Sequence, residues 1–217
     1  MDAASAFVVR EAAEKAVLEI KVSLLGDSSV GKTSITSSFH DVPMDIEPKT
    51  TICFEFSTKL VNYGNGSKVR YAIYDTAGQE KFRGIMPNFV RNMDAVVVVY
   101  DITNKESFKN VDKWLHFVNN HLPYDIPVII VGNKLDIAQR RQVTEQEGKT
   151  KAELSNSFFL ETSAMTGERV AAIFEELSTT IREKKINELF HGARIPLKEM
   201  AVRLSPNSLT EERRSCC

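Results

Sequence analysis

Apolar residues fall in short, dense runs along most of this 217-residue chain, and stretches with helical spacing separate them. The runs Ile20–Leu25, Ile52–Val61, Val69–Tyr74, Ala95–Tyr100, Val128–Val131 and Phe158–Glu161 are rich in β-branched residues and read as strands. Helical patterns follow the Gly31–Lys32 turn and then run through Ser107–Leu122, Glu145–Asn156 and Gly167–Lys185. Short apolar strands that alternate with helices are covered on both faces, so the pattern predicts a doubly wound, mostly parallel six-stranded α/β sheet. One pair departs from it. Ile52–Val61 and Val69–Tyr74 are joined by NYGNGS, whose Asn-Gly step favours a tight hairpin turn, which predicts one antiparallel edge strand.

The ends of the chain read differently. Residues 1–18 form an Ala-rich extension in which Val9, Ala13, Ala16, Val17 and Ile20 have helical spacing, so a lightly packed helix is predicted there. After Lys185 the periodicity fades through IPLKEM, LSPNSL and EERRSCC, which leaves 19–185 as one domain and 186–217 as a flexible tail. Twenty-eight Lys and Arg stand against 29 Asp and Glu, a balance that removes the electrostatic case for nucleic acid as a partner. Three cysteines, two of them adjacent at the end, make neither a disulfide framework nor a four-ligand zinc site. Asp2, Arg10 and Glu11 interrupt the start where a secretory signal needs an unbroken apolar stretch, and no run approaches a membrane span. The chain reads as soluble and from a reducing compartment, unless its end attaches it to a membrane.

The candidate chemistry sits at strand ends. GDSSVGKT, from Gly26 to Thr33, fits G-x-x-x-x-G-K-[ST] after an apolar strand and before a helix. Such a loop lets consecutive backbone N–H groups, here Gly26, Ser28, Ser29, Val30, Gly31, Lys32, Thr33 and Ser34, face phosphate oxygens, aided by the helix dipole. Lys32 would bridge the outer phosphates and the Thr33 hydroxyl would ligate Mg²⁺. Asp75 and Gly78, in DTAGQ, end the third strand; the carboxylate suits Mg²⁺ through a water, and Gly78 can offer its N–H to a terminal phosphate. Thr51, in PKTTIC, is a candidate second Mg²⁺ ligand. Asn133-Lys134-Leu135-Asp136 follows VIIVG, and a carboxylate at Asp136 accepts from both N1–H and the amino group of guanine. Adenine has no donor at N1, so a buried Asp136 would lose its partners, at a cost of about 1–3 kcal/mol. Ser163 and Ala164, in ETSA, end the last strand, where the Ala164 N–H can reach guanine O6. Four elements in this order, each at a strand's carboxyl end, point to guanine-nucleotide binding at the edge where open parallel sheets take ligands.

GDSSVGKT, DTAGQE, NKLD and ETSA together resemble a small GTPase, and VVVVYDIT followed by Ser107, Phe108 and Trp114 resembles the Rab family within it, over about Glu19 to Lys185. IMPNFVR and RRQVTEQEG most resemble the Rab branch associated with Golgi traffic. The resemblance implies a P-loop GTPase fold and a GTP/GDP switch with Mg²⁺, in which segments around Thr51 and Gly78–Phe89 are ordered by the terminal phosphate. It implies slow intrinsic hydrolysis, with Gln79 orienting the water beside Lys32, stimulated by an activating protein. It also implies an exchange factor, effectors that meet Phe56, Tyr74 and Phe89, a GDP-dissociation inhibitor, and a monomer cycling between cytosol and the cytosolic face of endomembranes. Ser215-Cys216-Cys217 resembles the double-cysteine end of Rabs, which implies prenylation of Cys216 and Cys217. The chain departs from the family pattern at Met44 (an aromatic), Cys53 (a glycine), Tyr74 (a tryptophan) and Met165 (a lysine that covers the base). Methionine packs on an aromatic face through its sulfur, so Met165 stays a candidate contact. Those departures leave a competing reading, a nucleotide-locked scaffold with little turnover. A P-loop ATPase or phosphotransferase is disfavoured by NKLD and by the lack of an acceptor-substrate domain.

Overall fold

The computed structural model describes residues 17–43, 55–63, 66–76, 90–123 and 125–192. In chain order they form β1 (Val17–Leu25), α1 (Lys32–Phe39), β2 (Glu55–Asn62), β3 (Lys68–Asp75), β4 (Ala95–Asp101), α2 (Lys105–His121), β5 (Val128–Asn133), a 3-10 turn (Leu135–Arg140), α3 (Glu145–Leu154), β6 (Phe158–Glu161) and α4 (Val170–Gly192). The six strands make one sheet in the order β2-β3-β1-β4-β5-β6. All neighbours are parallel except β2 and β3, so the antiparallel strand lies at an edge as expected. From β1 the chain builds outward first on one side and then on the other. The crevice beside the carboxyl end of β1 is therefore the topological switch point of the sheet.

Burial explains the strand pattern. Every residue of β4 is buried, because α1 and α4 cover one face of the sheet and α2 and α3 the other. On the first face Phe39 of α1 stacks on Phe174 of α4 at 3.6 Å between ring centres, and the Tyr71 hydroxyl donates to the Phe174 carbonyl at 2.8 Å. On the second, Phe108, Val111, Trp114 and Val118 form the apolar face of α2 and pack on Val96, Val98 and Tyr100. Asn104 caps α2 by accepting from Glu106 N and Ser107 N, which starts the helix two residues before the apolar spacing does.

Several expected boundaries move. Val17 and Ile20 belong to β1, not to a helix, and residues 17 and 18 belong to the sheet rather than to the extension. Leu18, Ile20 and Val22 are buried and alternate with exposed neighbours, while Val17 pairs with Lys68. Positions four apart share a face in both a helix and a strand, so the spacing of Ala16 and Ile20 did not distinguish them. Helix α4 begins at Val170, after Gly167 at φ 79°, and it continues to Gly192, beyond the end expected at 185. Helix α3 stops at Leu154, and Asn156 turns the chain at φ 50°. The hairpin closes through Tyr63 N–H to the Ser67 carbonyl and Gly66 N–H to the Tyr63 carbonyl, both 2.9 Å, with Gly66 at φ 81°. Residues 52–54, the start of the expected second strand, lie outside the described residues.

Candidate nucleotide site

Strands β3, β4, β5 and β6 end at the same edge in Asp75, Asp101, Asn133 and Glu161, all buried, and β1 ends there in the turn at Gly26. Buried polar residues at the ends of apolar strands need partners, and the loops beyond the sheet supply them.

The loop from Gly26 to Lys32 is pressed onto two strands. Gly26 has φ 143°, and a Cβ there would lie 2.2 Å from the Val99 carbonyl oxygen of β4. Gly31, at φ 99°, would place a Cβ 2.3 Å from Asn133 Nδ2 of β5. Ser29 also takes the left-handed conformation, at φ 64°. The loop opens into α1, whose first turn carries no side-chain cap and no acidic residue, so no carboxylate there competes with an anion for the helix dipole. Ser28 and Ser29 are exposed on the loop, whereas Val30 is buried beneath it.

Lys32 folds back under this loop. Its side chain is buried, and Nζ donates to the carbonyls of Gly26 at 2.9 Å and Asp27 at 2.6 Å. Burial brings its pKa down to about 8, against the opposing pull of Asp75 and Asp27. The Thr33 hydroxyl donates to Asp75 Oδ2 at 2.5 Å. Asp75 is 1% exposed, and its other oxygen, Oδ1, is buried without a hydrogen-bond partner. Burial pushes the Asp75 carboxyl up, with Thr33 and Lys32 pulling it down. A hydroxyl beside a carboxylate oxygen that lacks a donor is an oxygen-rich set that fits a hard divalent cation. Thr76 then fixes the exit of β3 by donating from Oγ1 to the Leu24 carbonyl at 2.6 Å.

The other end of the cleft is organised by Asn133. Its Nδ2 donates to the Val30 carbonyl at 3.0 Å, and its Oδ1 accepts from Ala164 N–H at 3.1 Å and from Thr162 Oγ1 at 3.3 Å. It thus ties the phosphate-type loop to the loop after β6. The Ala164 N–H, expected to reach guanine O6, donates to Asn133 in this arrangement. Lys134, at φ 73°, pairs with Asp101 Oδ2 at 2.8 Å, and Asp101 Oδ1 accepts from Thr103 N and Oγ1. The Asp136 carboxylate accepts from Ser163 Oγ at 2.6 Å and is exposed. Any cost of stranding it therefore arises only once a base covers it. Arg141 holds Glu161 with two parallel hydrogen bonds at 2.5 and 2.8 Å and fixes the start of the ETSA turn. Met165 is 68% exposed at the mouth of the cleft.

Lys32, Thr33 and Asp75 therefore meet at one end, and Asn133, Lys134, Asp136, Ser163 and Ala164 at the other. Thr51, Gly78, Gln79, Met44 and Cys53 lie outside the described residues, as do Phe89, Cys216 and Cys217. Phe56 and Tyr74 are cross-strand partners with ring centres 5.1 Å apart, and Phe56 is 61% exposed. The roles of Asp27, Asp101 and Arg141 were missed in the sequence. A polar residue closing an all-apolar strand, as Asp101 closes β4, is the signal that could have found the second of them.

The Ras family model matches residues 21–183. The chain belongs to the Ras family. It is 38% identical over 202 residues to Ras-related protein Rab-22A of Mus musculus, across 93% of this chain and all of that protein. The Homo sapiens Rab-22A matches to the same extent, and Ras-related protein RGP2 of Oryza sativa subsp. japonica is 37% identical over 203 residues, 91% of this chain and 93% of that protein. Within the Ras family the chain is a Rab small GTPase, a GTP-binding switch that hydrolyses GTP. The reading as a nucleotide-locked scaffold is not favoured. The sheet described above, with its single antiparallel edge strand, is the P-loop GTPase fold of that family.

Proposed function

We propose that the edge cleft binds guanine nucleotide with Mg²⁺ through the residues assembled there and that the protein acts as a switch in vesicle traffic. The observation that carries this reading is the Lys32–Thr33–Asp75 cluster, with a buried carboxylate oxygen lacking a donor at the start of a helix that has no side-chain cap. Gly26 and Ser28 to Ser34 cradle the phosphates by their backbone, and Lys32, kept on the loop carbonyls by two of its three ammonium protons, turns the third to the outer phosphates. Thr33, Thr51 and Asp75 hold the cation, which when bound neutralises charge on the phosphate oxygens. Gly78 contacts the terminal phosphate and Gln79 orients the attacking water. Asp136 reads the base, Ser163 holds Asp136, Ala164 lines the base pocket, and Lys134 and Met165 cover its faces. Asn133 acts through the loops it ties together.

The test has two parts. Nucleotide released from the purified protein should be GDP or GTP, and Asp136→Asn should weaken GTP and admit xanthosine triphosphate, because an amide donates to the keto group that replaces the amine. Full GTP preference in that variant would remove Asp136 from the base. Gln79→Leu should slow intrinsic single-turnover hydrolysis more surely than stimulated hydrolysis, since an activating protein can supply its own catalytic side chains.

The same reading places Phe56, Tyr74 and Phe89 on the effector surface and attaches the monomer to endomembranes through prenylated Cys216 and Cys217. An exchange factor, an activating protein and a GDP-dissociation inhibitor serve its cycle, and Golgi membranes are the first to examine. From Ile186 onward, the last turns of α4 included, the chain has Arg194, Lys198, Arg203, Arg213 and Arg214 against Glu188, Glu199, Glu211 and Glu212, one net positive charge. At about 1 kcal/mol per basic residue this holds no membrane surface, so lipid must. Two chains anchor stably where one does not. Replacing both cysteines by serine should release the protein to the soluble fraction, and a double variant that still pelleted with membranes would refute the anchor.

A further inference from the structure

Asp27, in the phosphate-type loop, carries its side chain onto α2. Its carboxylate accepts from Asn110 Nδ2 at 2.6 Å and from Trp114 Nε1 at 2.9 Å. Asn110 and Trp114 are four residues apart and share one face of α2. Its backbone carbonyl meanwhile accepts from Lys32 Nζ at 2.6 Å. A single residue thus joins the buried lysine to a helix whose neighbours Phe108, Val111 and Val118 are seated in the core. The remaining limbs of the loop are already pinned, Gly26 against Val99 and Gly31 against Asn133, so the Asp27 tether completes the fixation. Val90 and Met93 belong to the same apolar cluster as Trp114, which places the entry to β4 on the same support.

We propose that Asp27, held by Asn110 and Trp114, is a positioning residue for the phosphate loop that slows nucleotide release, and that Trp114, the sole tryptophan, reports on loop occupancy. The proposal rests on the nucleotide reading above. A carboxylate held by two charge-assisted hydrogen bonds fixes the peptide that carries the Lys32 acceptor, and losing it frees the loop limb to open. Trp114 Nε1 ends on that carboxylate, so a movement of the loop changes the polarity at the indole directly.

The full-length protein is loaded with a fluorescent N-methylanthraniloyl GDP, and its dissociation is followed in excess GDP and Mg²⁺. Asp27→Ala should raise the dissociation rate about tenfold or more, equivalent to ~1.4 kcal/mol. Asp27→Asn, which keeps one good acceptor, should fall between it and the parent. Trp114→Phe combined with Asp27→Ala should be no faster than Asp27→Ala alone, because both remove the same link. Emission from Trp114 should change when nucleotide is stripped from the parent and stay unchanged in Asp27→Ala. If Trp114→Phe does not fold, Asn110→Ala, at a half-buried position, takes its place in the cycle. A dissociation rate in Asp27→Ala within about twofold of the parent would overturn the proposal, as would additive effects in the double variant. A parent that retains no guanine nucleotide would overturn the nucleotide reading itself, and this inference with it.

Discussion

Asn133 shows how one buried amide does two jobs that the sequence presents as one. Its position in NKLD points to the base, yet its donor goes to Val30 and its acceptor to Ala164 and Thr162. At 1% exposure no water replaces these partners. Asn133→Ala would leave the Val30 carbonyl and the Ala164 N–H unpaired, and buried groups stranded in this way cost about 1–3 kcal/mol each. The nucleotide-free protein should lose about 2–4 kcal/mol of stability in urea denaturation. Asn133→Asp, which keeps the acceptor for Ala164, should lose less. A loss below about 1 kcal/mol would mean that the loops hold their places without this residue. Asp136 carries the complementary lesson. Its type and place in NKLD were legible, but its exposure was not, because burial at a ligand edge depends on loops distant in sequence.

At the scale of elements, strands were legible wherever burial on both faces imposed continuous apolar runs, as in β4, and ambiguous where a four-residue spacing suited helix and strand alike, as at Ala16 and Ile20. Helix ends were obscured where capping chemistry rather than apolar spacing sets them. Helix α3 is the example with a measurable consequence. Thr144 and Glu147 form a reciprocal capping box: Glu147 N–H donates to Thr144 Oγ1 at 3.2 Å, and Thr144 N–H donates to Glu147 Oε2 at 2.8 Å. Lys105 at the start of α2 pairs with the same carboxylate. The Lys105 ammonium first, and then the Thr144 donors, hold the Glu147 pKa down at about 2 against an ordinary 4.5. With the folded value below the unfolded one, the unfolded chain binds more protons between those limits. This contribution is therefore complete above pH 4.5 and is lost as pH falls through about 2. Glu147→Gln should melt lower than the parent at neutral pH and show a shallower decline of Tm across that window. Parallel Tm curves for the two proteins would mean that the box and its lysine add nothing to folding.

At the scale of the whole molecule, the sheet gathers turns from β1, β3, β4, β5 and β6 at one edge, so a ligand seated there touches loops separated by most of the chain. The cleft carries costs at this edge. Lys32 is charged yet buried, and Asp75 Oδ1 is buried without a donor. Phosphate oxygens and a divalent cation satisfy both and meet the uncapped N-terminus of α1, so binding to the folded state should be strongly preferred over binding to the unfolded chain. Stripping nucleotide and Mg²⁺ with EDTA should therefore lower Tm sharply. Returning GDP with Mg²⁺ at about 1,000 times its Kd should restore roughly 4 kcal/mol. For a chain of this size that is about 8–16 °C in Tm. Mg²⁺ with ATP at the same concentration should restore far less, because Asp136, held by Ser163, presents acceptors to an edge of adenine that offers no N1–H. Equal melting temperatures with GDP and ATP would show that the cleft holds phosphates without reading the base. An unchanged Tm after EDTA treatment, with loss of bound nucleotide verified, would show that the buried Lys32 and Asp75 are satisfied by the protein alone.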